Sequence, residues 1–510
     1  MTPSAQSTQQ QPSATHNPHP AAYTQGKHLA STDAVPFPDG FLWAAATSSY
    51  QVEGAAHEDG RTDSVWDAFT RVPGAVLSGH DGEVACDQYH RYVEDADLMR
   101  SMNLGAYRFS ISWARVCPDA GPVNPKGLDY YSRLVDTLLE RDILPWVTLF
   151  HWDHPQSLEA SGGWGNRDTA LKFVDYSLAV HEALQDRVSV WTTLNEPWCS
   201  SMLSYGGGTH APGDRDYGKA LAAAHHQLLG HGLVVQELRQ RQPQAELGIT
   251  LNFTVADPVD PADPRDVDAA RRIDGQFNRL FADPIFRGAY PLDLLEDLEA
   301  EGLRSGFEEK IQDGDMAAIS SPIDALGVNY YHGEEVSYRA YPEPLQGSAP
   351  VERPTQSPHA AAHGIHGRNR GLPHTAQQWE VQPEGMTRLL LRLQEEYTGP
   401  AGTALYITEN GCAYDDVPDA HGYVEDTDRL EFYDVHLRAV RDAMEAGADV
   451  RGYFAWSLLD NFEWAWGYHQ RFGIVRVDFE TQERTVKASG KWFSEVARTN
   501  VVPARGTSGR

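Results

Sequence analysis

Short apolar segments rich in β-branched and aromatic residues alternate along this chain with longer amphipathic segments. This alternation is typical of repeated strand and helix units around a parallel sheet. About eight segments are predicted to be strands, the number that closes a barrel. They are Leu42–Ser48, Ala106–Ile111, Leu144–Phe150, Val188–Thr193, Leu247–Phe253, Ala325–Asn329, Ala404–Thr408 and Val450–Trp456. Helices are predicted between them, for example at Tyr130–Arg141, Lys219–Arg239 and Arg429–Ala446. The pattern predicts an α/β fold, a single-domain (β/α)8 (TIM) barrel with long βα loops.

The two ends of the chain lack this pattern. Residues 1 to 34 are rich in Gln, Ser, Pro, His and Ala, a composition that buries too little apolar surface to order a chain. We therefore predict a disordered N-terminal tail over residues 1–34, a barrel over residues 35–500 and a C-terminal tail over residues 501–510. The Pro-, His- and Gly-rich segment near residues 341–375 is predicted to be a long surface loop of the barrel.

Composition and charge narrow the range of partners. The 510 residues are 41% hydrophobic and include 13 Trp, 22 Tyr and 17 Phe, enough for a large core. Lys plus Arg number 42 against 72 Asp plus Glu, and a net charge of −30 repels nucleic acid and anionic lipid surfaces. We expect neither nucleic acid nor a membrane as partner. The start of the chain has no signal-like segment, which predicts a cytoplasmic protein. The oligomeric state is left open.

The cysteines and histidines do not suggest a metal site. Four widely spaced cysteines, without a Cys-x-x-Cys pair, predict free buried thiols instead of a zinc site or a disulfide framework. His225, His226 and His231 lie on a predicted helix without carboxylate or thiol partners at ligand spacing, so packing roles are expected. We predict no metal and no cofactor.

Polar or aromatic residues follow the predicted strands, most weakly after the fifth. Barrel enzymes build their active sites from the loops at the carboxyl ends of the strands. In chain order these ends carry Gln51–Gly54, Arg108–Ser110, His151–Pro155, Asn195–Pro197, Asn252, Asn329–Tyr331, Glu409–Gly411 and, after Trp456, Asn461–Trp464. None of them carries a Lys, which argues against a Schiff-base aldolase on the same fold.

Two glutamates each follow a β-rich run directly. Glu196 and Glu409 end the predicted fourth and seventh strands, so they are expected to face one another across the barrel opening. Taken singly, each fits a buried ion pair or a helix cap equally well. Together they fit glycoside cleavage, in which one carboxylic acid protonates the leaving oxygen and a carboxylate faces the oxocarbenium-like centre.

Eight short segments in order resemble glycoside hydrolase family 1, the family of β-glucosidases and 6-phospho-β-glycosidases. The resemblance covers about Phe37 to Val496. The matching segments are Phe41–Trp43, Gln51–Gly54, Tyr107–Trp113, His151–Asp153, Thr193–Pro197, Asn329–Tyr331, Ile407–Gly411 and Asn461–Trp464. His154 and Cys412 depart from the usual pattern without removing a catalytic group.

The resemblance implies a retaining mechanism. By it, Glu196 is the catalytic acid/base and Glu409 the nucleophile of a double displacement, assisted by Arg108, Tyr331 and Asn195. Retention requires the two carboxyl groups to lie about 5 to 5.5 Å apart. Cys199 and Cys412 are expected near the two glutamates. The implied substrate-binding residues are Gln51, His151, Trp152, Asn195, Asn329, Tyr331, Trp379, Trp456, Glu463, Trp464 and Phe472.

The resemblance also implies the substrate class. Relatives that take 6-phosphorylated sugars replace the carboxylate at the position of Glu463, which would repel a phosphate. We therefore expect an exo-acting enzyme that hydrolyses terminal unphosphorylated β-D-glucosyl residues from cellobiose-like oligosaccharides or from aryl and alkyl glucosides. The expected substrate range extends to galactosyl and fucosyl residues. The alternatives are a 6-phospho-β-glycosidase, a transglycosidase and, in another class, an inactive sugar-binding homologue.

Overall fold

Eight parallel strands form a closed barrel. A computed structural model describes residues 26–341 and 349–506. The barrel strands are β1 (Leu42–Ala46), β2 (Ala106–Ser110), β3 (Leu144–Phe150), β4 (Val190–Asn195), β5 (Glu246–Asn252), β6 (Ala325–Asn329), β7 (Ala404–Asn410) and β8 (Val450–Trp456). They pair in chain order, and the ring closes where β8 pairs with β1, from Gly452 opposite Leu42 to Trp456 opposite Ala46. The predicted (β/α)8 barrel is confirmed.

Helices cover the outside of the barrel. The predicted helix at Tyr130–Arg141 begins earlier, because the Asn124 side chain accepts a hydrogen bond from the N–H of Lys126 and Pro125 occupies the first turn. The principal helices are Gln88–Ser101, Pro125–Leu139, Arg167–Leu184, Tyr217–Arg241, Pro264–Asp274, Leu280–Arg287, Leu292–Ala300, Pro383–Leu393, Thr427–Glu445 and Ala488–Thr499. Within the described ranges, no helix is both long enough and apolar enough to cross a membrane.

Shorter elements shape the loops at the strand ends. Short α-helices lie at Lys27–Ala30, Ser49–Val52, Val65–Thr70, Trp113–Val116, Arg304–Glu308, Asp315–Ile319 and Gly399–Ala401. Segments of 3-10 helix lie at Leu77–Gly79, Pro118–Ala120, Gln156–Ser161, Gly163–Gly165 and Trp464–Trp466. Segments of π-helix lie at Cys199–Gly207, Gly275–Arg279 and Gln394–Thr398. Small sheets join Ala256–Pro258, Glu334–Ser337 and His366–Arg368, and join Val475–Val477 with Arg484–Val486. Part of the predicted long loop is thus a strand, and residues 342–348 lie outside the described residues.

Large aromatic side chains pack inside the barrel. The Trp146 ring lies 4.8 Å from the ring of Tyr406 and 5.0 Å from that of Phe454, and both pairs have edge-to-face geometry. Small residues on β1 and β2, including Ala44 and Ala106, pack in the same cluster and leave room for these rings. The barrel interior is therefore a filled core, which leaves the carboxyl ends of the strands as the place for a site.

Described elements lie beyond the predicted tail boundaries at residues 34 and 501. Leu29, in the helix Lys27–Ala30, is buried, and its backbone N–H donates to Asp442 at 3.0 Å. Val35–Pro36 pairs with Val501–Val502, and Arg505 donates to Asp434 at 2.7 Å. Backbone pairing and charged contacts hold these segments, which a search for apolar periodicity does not detect. Residues 1–25 and 507–510 of the predicted tails lie outside the described residues.

Candidate active site

The two glutamates predicted from the sequence lie in one buried hydrogen-bond network at the carboxyl ends of the strands. Arg108 donates from Nη1 to Glu409 at 2.8 Å and from Nη2 to Asn195 at 2.5 Å. Asn329 donates from Nδ2 to Asn195 at 3.2 Å and to Glu196 at 2.6 Å. Side chains from β2, β4, β6 and β7 are thus linked across the opening, as the sequence predicts.

Glu409 is held by a cation and a phenol. Arg108 contacts Oε1, and the Tyr331 hydroxyl donates to Oε2 at 2.7 Å. Burial raises the pKa of Glu409, while the charge of Arg108 and the hydrogen bond from Tyr331 act in the opposite direction. Both partners favour the ionised carboxylate.

Glu196 has neutral partners. Asn329 donates to Oε1, and the Cys199 thiol lies 3.0 Å from Oε2. Burial and the nearby charge of Glu409 raise the pKa of Glu196 to about 8. At neutral pH Glu196 therefore retains its proton, whereas Glu409 is the member of the pair whose contacts favour ionisation. One acid and one carboxylate at one opening are the groups that glycoside cleavage requires.

Asn195 connects the glutamates to the sugar-binding residues. Its Oδ1 accepts from Arg108 and Asn329, and its Nδ2 lies 3.1 Å from Nε2 of His151. The indole N–H of Trp152 donates to the Asn195 backbone carbonyl at 2.9 Å. Burial and the charge of Arg108 lower the pKa of His151 well below its ordinary value, so the imidazole is neutral.

Gln51 and Glu463 form a polar pair at the other side of the opening. Gln51 donates from Nε2 to Asn461 at 3.0 Å and to Glu463 at 3.4 Å, and Ser48 donates to its Oε1 at 2.6 Å. Burial and the charge of Glu409 raise the pKa of Glu463 to about 8, while a hydrogen bond from Gln377 acts against the rise. Gln377 was not among the predicted site residues. No strand pattern marks it, because residues 376–377 form a turn and Gln378 has a φ of 63°.

Aromatic rings surround these polar groups. The His151 ring lies nearly parallel to the rings of Trp456 and Trp464, at 5.9 and 6.0 Å between centroids. A second group lies outward: the Trp379 ring is 5.3 Å from that of Tyr331 and 6.2 Å from that of Phe472. An apolar face with convergent polar groups is the usual form of a small-ligand site.

Three residues of this site have a strained backbone. Glu196, Trp152 and Trp464 have positive φ angles of 46°, 74° and 48°. Such conformations cost free energy in residues other than Gly and persist where function requires them. Gly411 has no space for a side chain, since an added Cβ would lie 1.7 Å from the Trp456 carbonyl oxygen. The chain after Glu409 can therefore pass directly against the end of β8.

The remaining cysteines and histidines have structural surroundings. All four cysteines are free and buried. Cys199 lies beside Glu196 as predicted, whereas Cys412 is buried among the charges of Arg429 and its acidic partners. His225 contacts Asp315 at 2.9 Å, and His231 contacts Thr193 at 2.7 Å. Among the described residues, no group of three or more His, Cys, Asp or Glu side chains is arranged to hold a metal ion.

Comparison with known proteins places this site in a family. The sequence model described as Glycosyl hydrolase family 1 matches residues 33–502. The chain is 47% identical over 493 residues to thermostable β-glucosidase B of Thermobispora bispora, covering 94% of this chain and 95% of that protein. It is 43% identical over 468 residues to a bifunctional β-D-glucosidase/β-D-fucosidase of Bifidobacterium breve, covering 90% and 97%.

Solved structures agree with the sequence comparison. The crystal structure of the psychrophilic β-glucosidase BglU from Micrococcus antarcticus superposes with a TM-score of 0.88 at 52% identity, covering 91% of this chain and 98% of that one. The family 1 β-glucosidase from Thermotoga maritima superposes with a TM-score of 0.82 at 41% identity, covering 92% and 99%. The chain therefore belongs to glycosyl hydrolase family 1.

Proposed function

We propose that this protein is a retaining, exo-acting β-glucosidase with Glu196 as acid/base and Glu409 as nucleophile. The observation that carries the proposal is the asymmetry between the two buried glutamates. Arg108 and Tyr331 contact Glu409, whereas an amide and a thiol contact Glu196. A carboxylate stabilised by a cation is suited to attack, and a protonated carboxyl in a buried setting is suited to donate a proton.

The first half of the proposed reaction forms a glycosyl-enzyme. A Glu409 oxygen attacks the anomeric carbon while Glu196 transfers its proton to the glycosidic oxygen, so that the aglycone leaves as an alcohol. The positive charge of Arg108 then faces a Glu409 oxygen that has become an ester. The Asn195 side chain, fixed by Arg108 and His151, is placed to contact the sugar beside the reacting carbon.

The second half releases the sugar. Glu196 is now a carboxylate and accepts a proton from a water molecule, which attacks the anomeric carbon and displaces Glu409. Two inversions restore the β configuration in the product. Glu196 ends the cycle protonated and Glu409 ionised, which returns both groups to the states that their contacts favour. A sugar acceptor in place of water would make the same site a transglycosidase.

The carboxyl of Glu463 supports unphosphorylated substrates. It lies beside Gln51, and burial and the charge of Glu409 raise its pKa, so a phosphate there would meet the negative charge of Glu409. We propose terminal β-D-glucosyl residues of cellobiose-like oligosaccharides or aryl and alkyl glucosides as substrates. The relative named for both glucosidase and fucosidase activity supports testing β-fucosides as well. We further propose a place in cellulose breakdown, inside the cytoplasm, where four free thiols suit a reducing compartment.

A panel of p-nitrophenyl β-glycosides tests the proposal. The panel contains the glucoside, galactoside, fucoside and 6-phosphoglucoside, and proton NMR follows the first anomer formed from the best substrate. We expect fastest turnover of the glucoside or fucoside, little turnover of the phosphoglucoside, and β-sugar as first product. A first product in the α configuration, or a preference for the phosphorylated substrate, would contradict it. Added glucose or cellobiose distinguishes transglycosylation by yielding longer glycosides.

A further inference from the structure

Cys199 and Asn252 take no part in the reaction described above, yet they form a chain that ends at Glu196. The Cys199 thiol lies three residues beyond Glu196 and 3.0 Å from its Oε2. Asn252, the last residue of β5, donates from Nδ2 to the Cys199 sulfur at 3.5 Å. Cys199 is 6% exposed, so its contact with Glu196 is shielded from solvent, while its contact with Asn252 is partly buried. Asn252, the polar residue at the end of the fifth strand, is therefore connected to Glu196 through the Cys199 thiol.

The hydrogen-bond network determines which Glu196 oxygen carries the acid proton. Asn329 accepts from Thr408 at its Oδ1, at 2.8 Å, so its Nδ2 is the group that faces Asn195 and Glu196. An amide N–H can only donate, and it points at Oε1 of Glu196 from 2.6 Å. Oε1 must remain an acceptor in both protonation states. The proton is therefore carried by Oε2, the oxygen beside the sulfur.

A thiol suits an oxygen that gains and loses a proton in each cycle. The S–H group is a weak donor, and the sulfur is a weak acceptor. The thiol itself does not ionise, because burial and the charge of Glu196 raise its pKa well above the ordinary value. It can donate to a carboxylate and turn away from a carboxylic acid without any proton leaving the sulfur.

We propose that Cys199, supported by Asn252, is a positioning residue for Glu196. Its S–H group donates to Oε2 while Glu196 is ionised in the glycosyl-enzyme, and it turns away when Oε2 carries the proton. The proposal rests on the proposed acid/base role of Glu196. Asn252 donates a hydrogen bond to the sulfur from the side of β5, and this contact directs the S–H group toward Glu196. The contact stabilises the base form needed for attack by water and leaves the acid proton free to face the leaving oxygen.

Other charged and titratable groups also act on Glu196, and the test must leave them unchanged. They are Glu409 on β7, Arg108 on β2, Tyr331 after β6 and Glu463 after β8. A substitution at Cys199 alters none of these side chains. A change in the titration of Glu196 in such a variant therefore reports on the thiol contact.

The pH dependence of kcat/KM for p-nitrophenyl β-glucoside tests the proposal in wild type, Cys199→Val and Cys199→Ser. Activity is lost as pH rises through the pKa of the acid. Removal of the donor from the carboxylate should move this basic limb to higher pH by about half a unit to one unit. The serine variant keeps an O–H donor and should restore the limb to its original position or lower. Cys117→Val is the matched control, because Cys117 is also 6% exposed and the charge that acts on its thiol is that of Asp175, not that of Glu196.

Two further variants keep the outcomes separate. Cys199→Ala removes only the sulfur, and we expect the same shift from it if the valine variant does not fold. An unmoved basic limb in both variants, or an equal shift in Cys117→Val, would overturn the role of Cys199. Glu196→Gln should abolish the basic limb of whatever activity remains. If that limb persists in Glu196→Gln, the proposed acid/base assignment fails instead, independently of Cys199.

Discussion

Two buried clusters of charged residues in this protein differ in charge balance. The first, the mouth cluster, holds three carboxyl groups against one cation: Glu196, Glu409, Glu463 and Arg108. The second, the ion-pair cluster, lies beside the loop that carries Glu463 and holds three carboxylates against three cations: Asp416, Asp426, Asp460, Arg429, Arg471 and Lys487. Both are shielded from solvent, and both join segments far apart in the sequence.

The titration of the two clusters follows from this difference. In the ion-pair cluster, burial alone would raise the pKa of Asp416, but the charges of Arg429 and Lys487 outweigh it and leave that pKa lower than usual. In the mouth cluster burial and the charge of Glu409 raise the pKa values of Glu196 and Glu463 to about 8, because a single guanidinium does not offset them. Balanced charges give a fixed scaffold, and unbalanced carboxyl groups hold a transferable proton.

Removal of the nucleophile should have the largest effect. Glu409→Gly should lower kcat for aryl β-glucosides on the order of 10⁵-fold, because no other described group is placed to form the intermediate. Azide or formate should restore part of the activity, and azide should yield an α-glycosyl azide, identified by NMR. A β-configured adduct would contradict the assignment. Asp416→Asn is the matched control, since a carboxylate lost from the ion-pair cluster should not be replaced by azide.

Removal of the acid should depend on the leaving group. Glu196→Ala should slow turnover of alkyl glucosides by about 10²- to 10⁴-fold, because these leaving groups need a proton. The first step with dinitrophenyl glucoside should stay fast, since its leaving group needs none, and slow deglycosylation should then produce a burst in stopped-flow measurements. Equal losses for all leaving groups would mean that Glu196 has another role.

Removal of a cation from the ion-pair cluster should lower the stability of the protein. Lys487→Met leaves Asp416 and Asp460 without one of their cations and should reduce the free energy of unfolding by about 3 to 5 kcal/mol. Urea titration measures the loss, and the exposed pair Lys27 with Glu445 supplies a control, where Lys27→Met should leave the free energy of unfolding nearly unchanged. Unchanged stability in Lys487→Met would remove the distinction between the two clusters.

Removal of a charge from the mouth cluster should increase the free energy of unfolding, and this effect should be the smallest of those predicted here. The folded-state pKa of Glu196 lies above its unfolded value, so its contribution to stability is complete below pH 4.5 and is lost as pH rises toward about 8. Glu196→Gln should therefore increase stability at pH 8 by about 0.5 to 2 kcal/mol, with little gain at pH 4. Differential scanning calorimetry at both pH values measures this. A variant less stable than wild type at pH 8 would contradict the charge imbalance.

The barrel and most of the site could be predicted because they depend on local sequence. All eight strands lie where apolar runs predict them, and Glu196 and Glu409 follow strands directly. The ion-pair cluster could not be predicted, since Lys487 pairs with residues 71 and 27 positions away and no local pattern reveals such partners. The contacts of the helix Lys27–Ala30 could not be predicted for a related reason: Leu29 donates to Asp442, 413 residues further along the chain.

The central claim is that Glu409, and not Glu196, carries the sugar during turnover. Incubation with a 2-deoxy-2-fluoro-β-glucoside that has a good leaving group should slow deglycosylation enough to accumulate the intermediate. Peptide mapping by mass spectrometry would then locate the label. We expect one fluoroglucosyl group per chain, on the peptide that contains Glu409, with activity returning as the label is released. A label on the Glu196 peptide, or full inactivation without any covalent label, would contradict it.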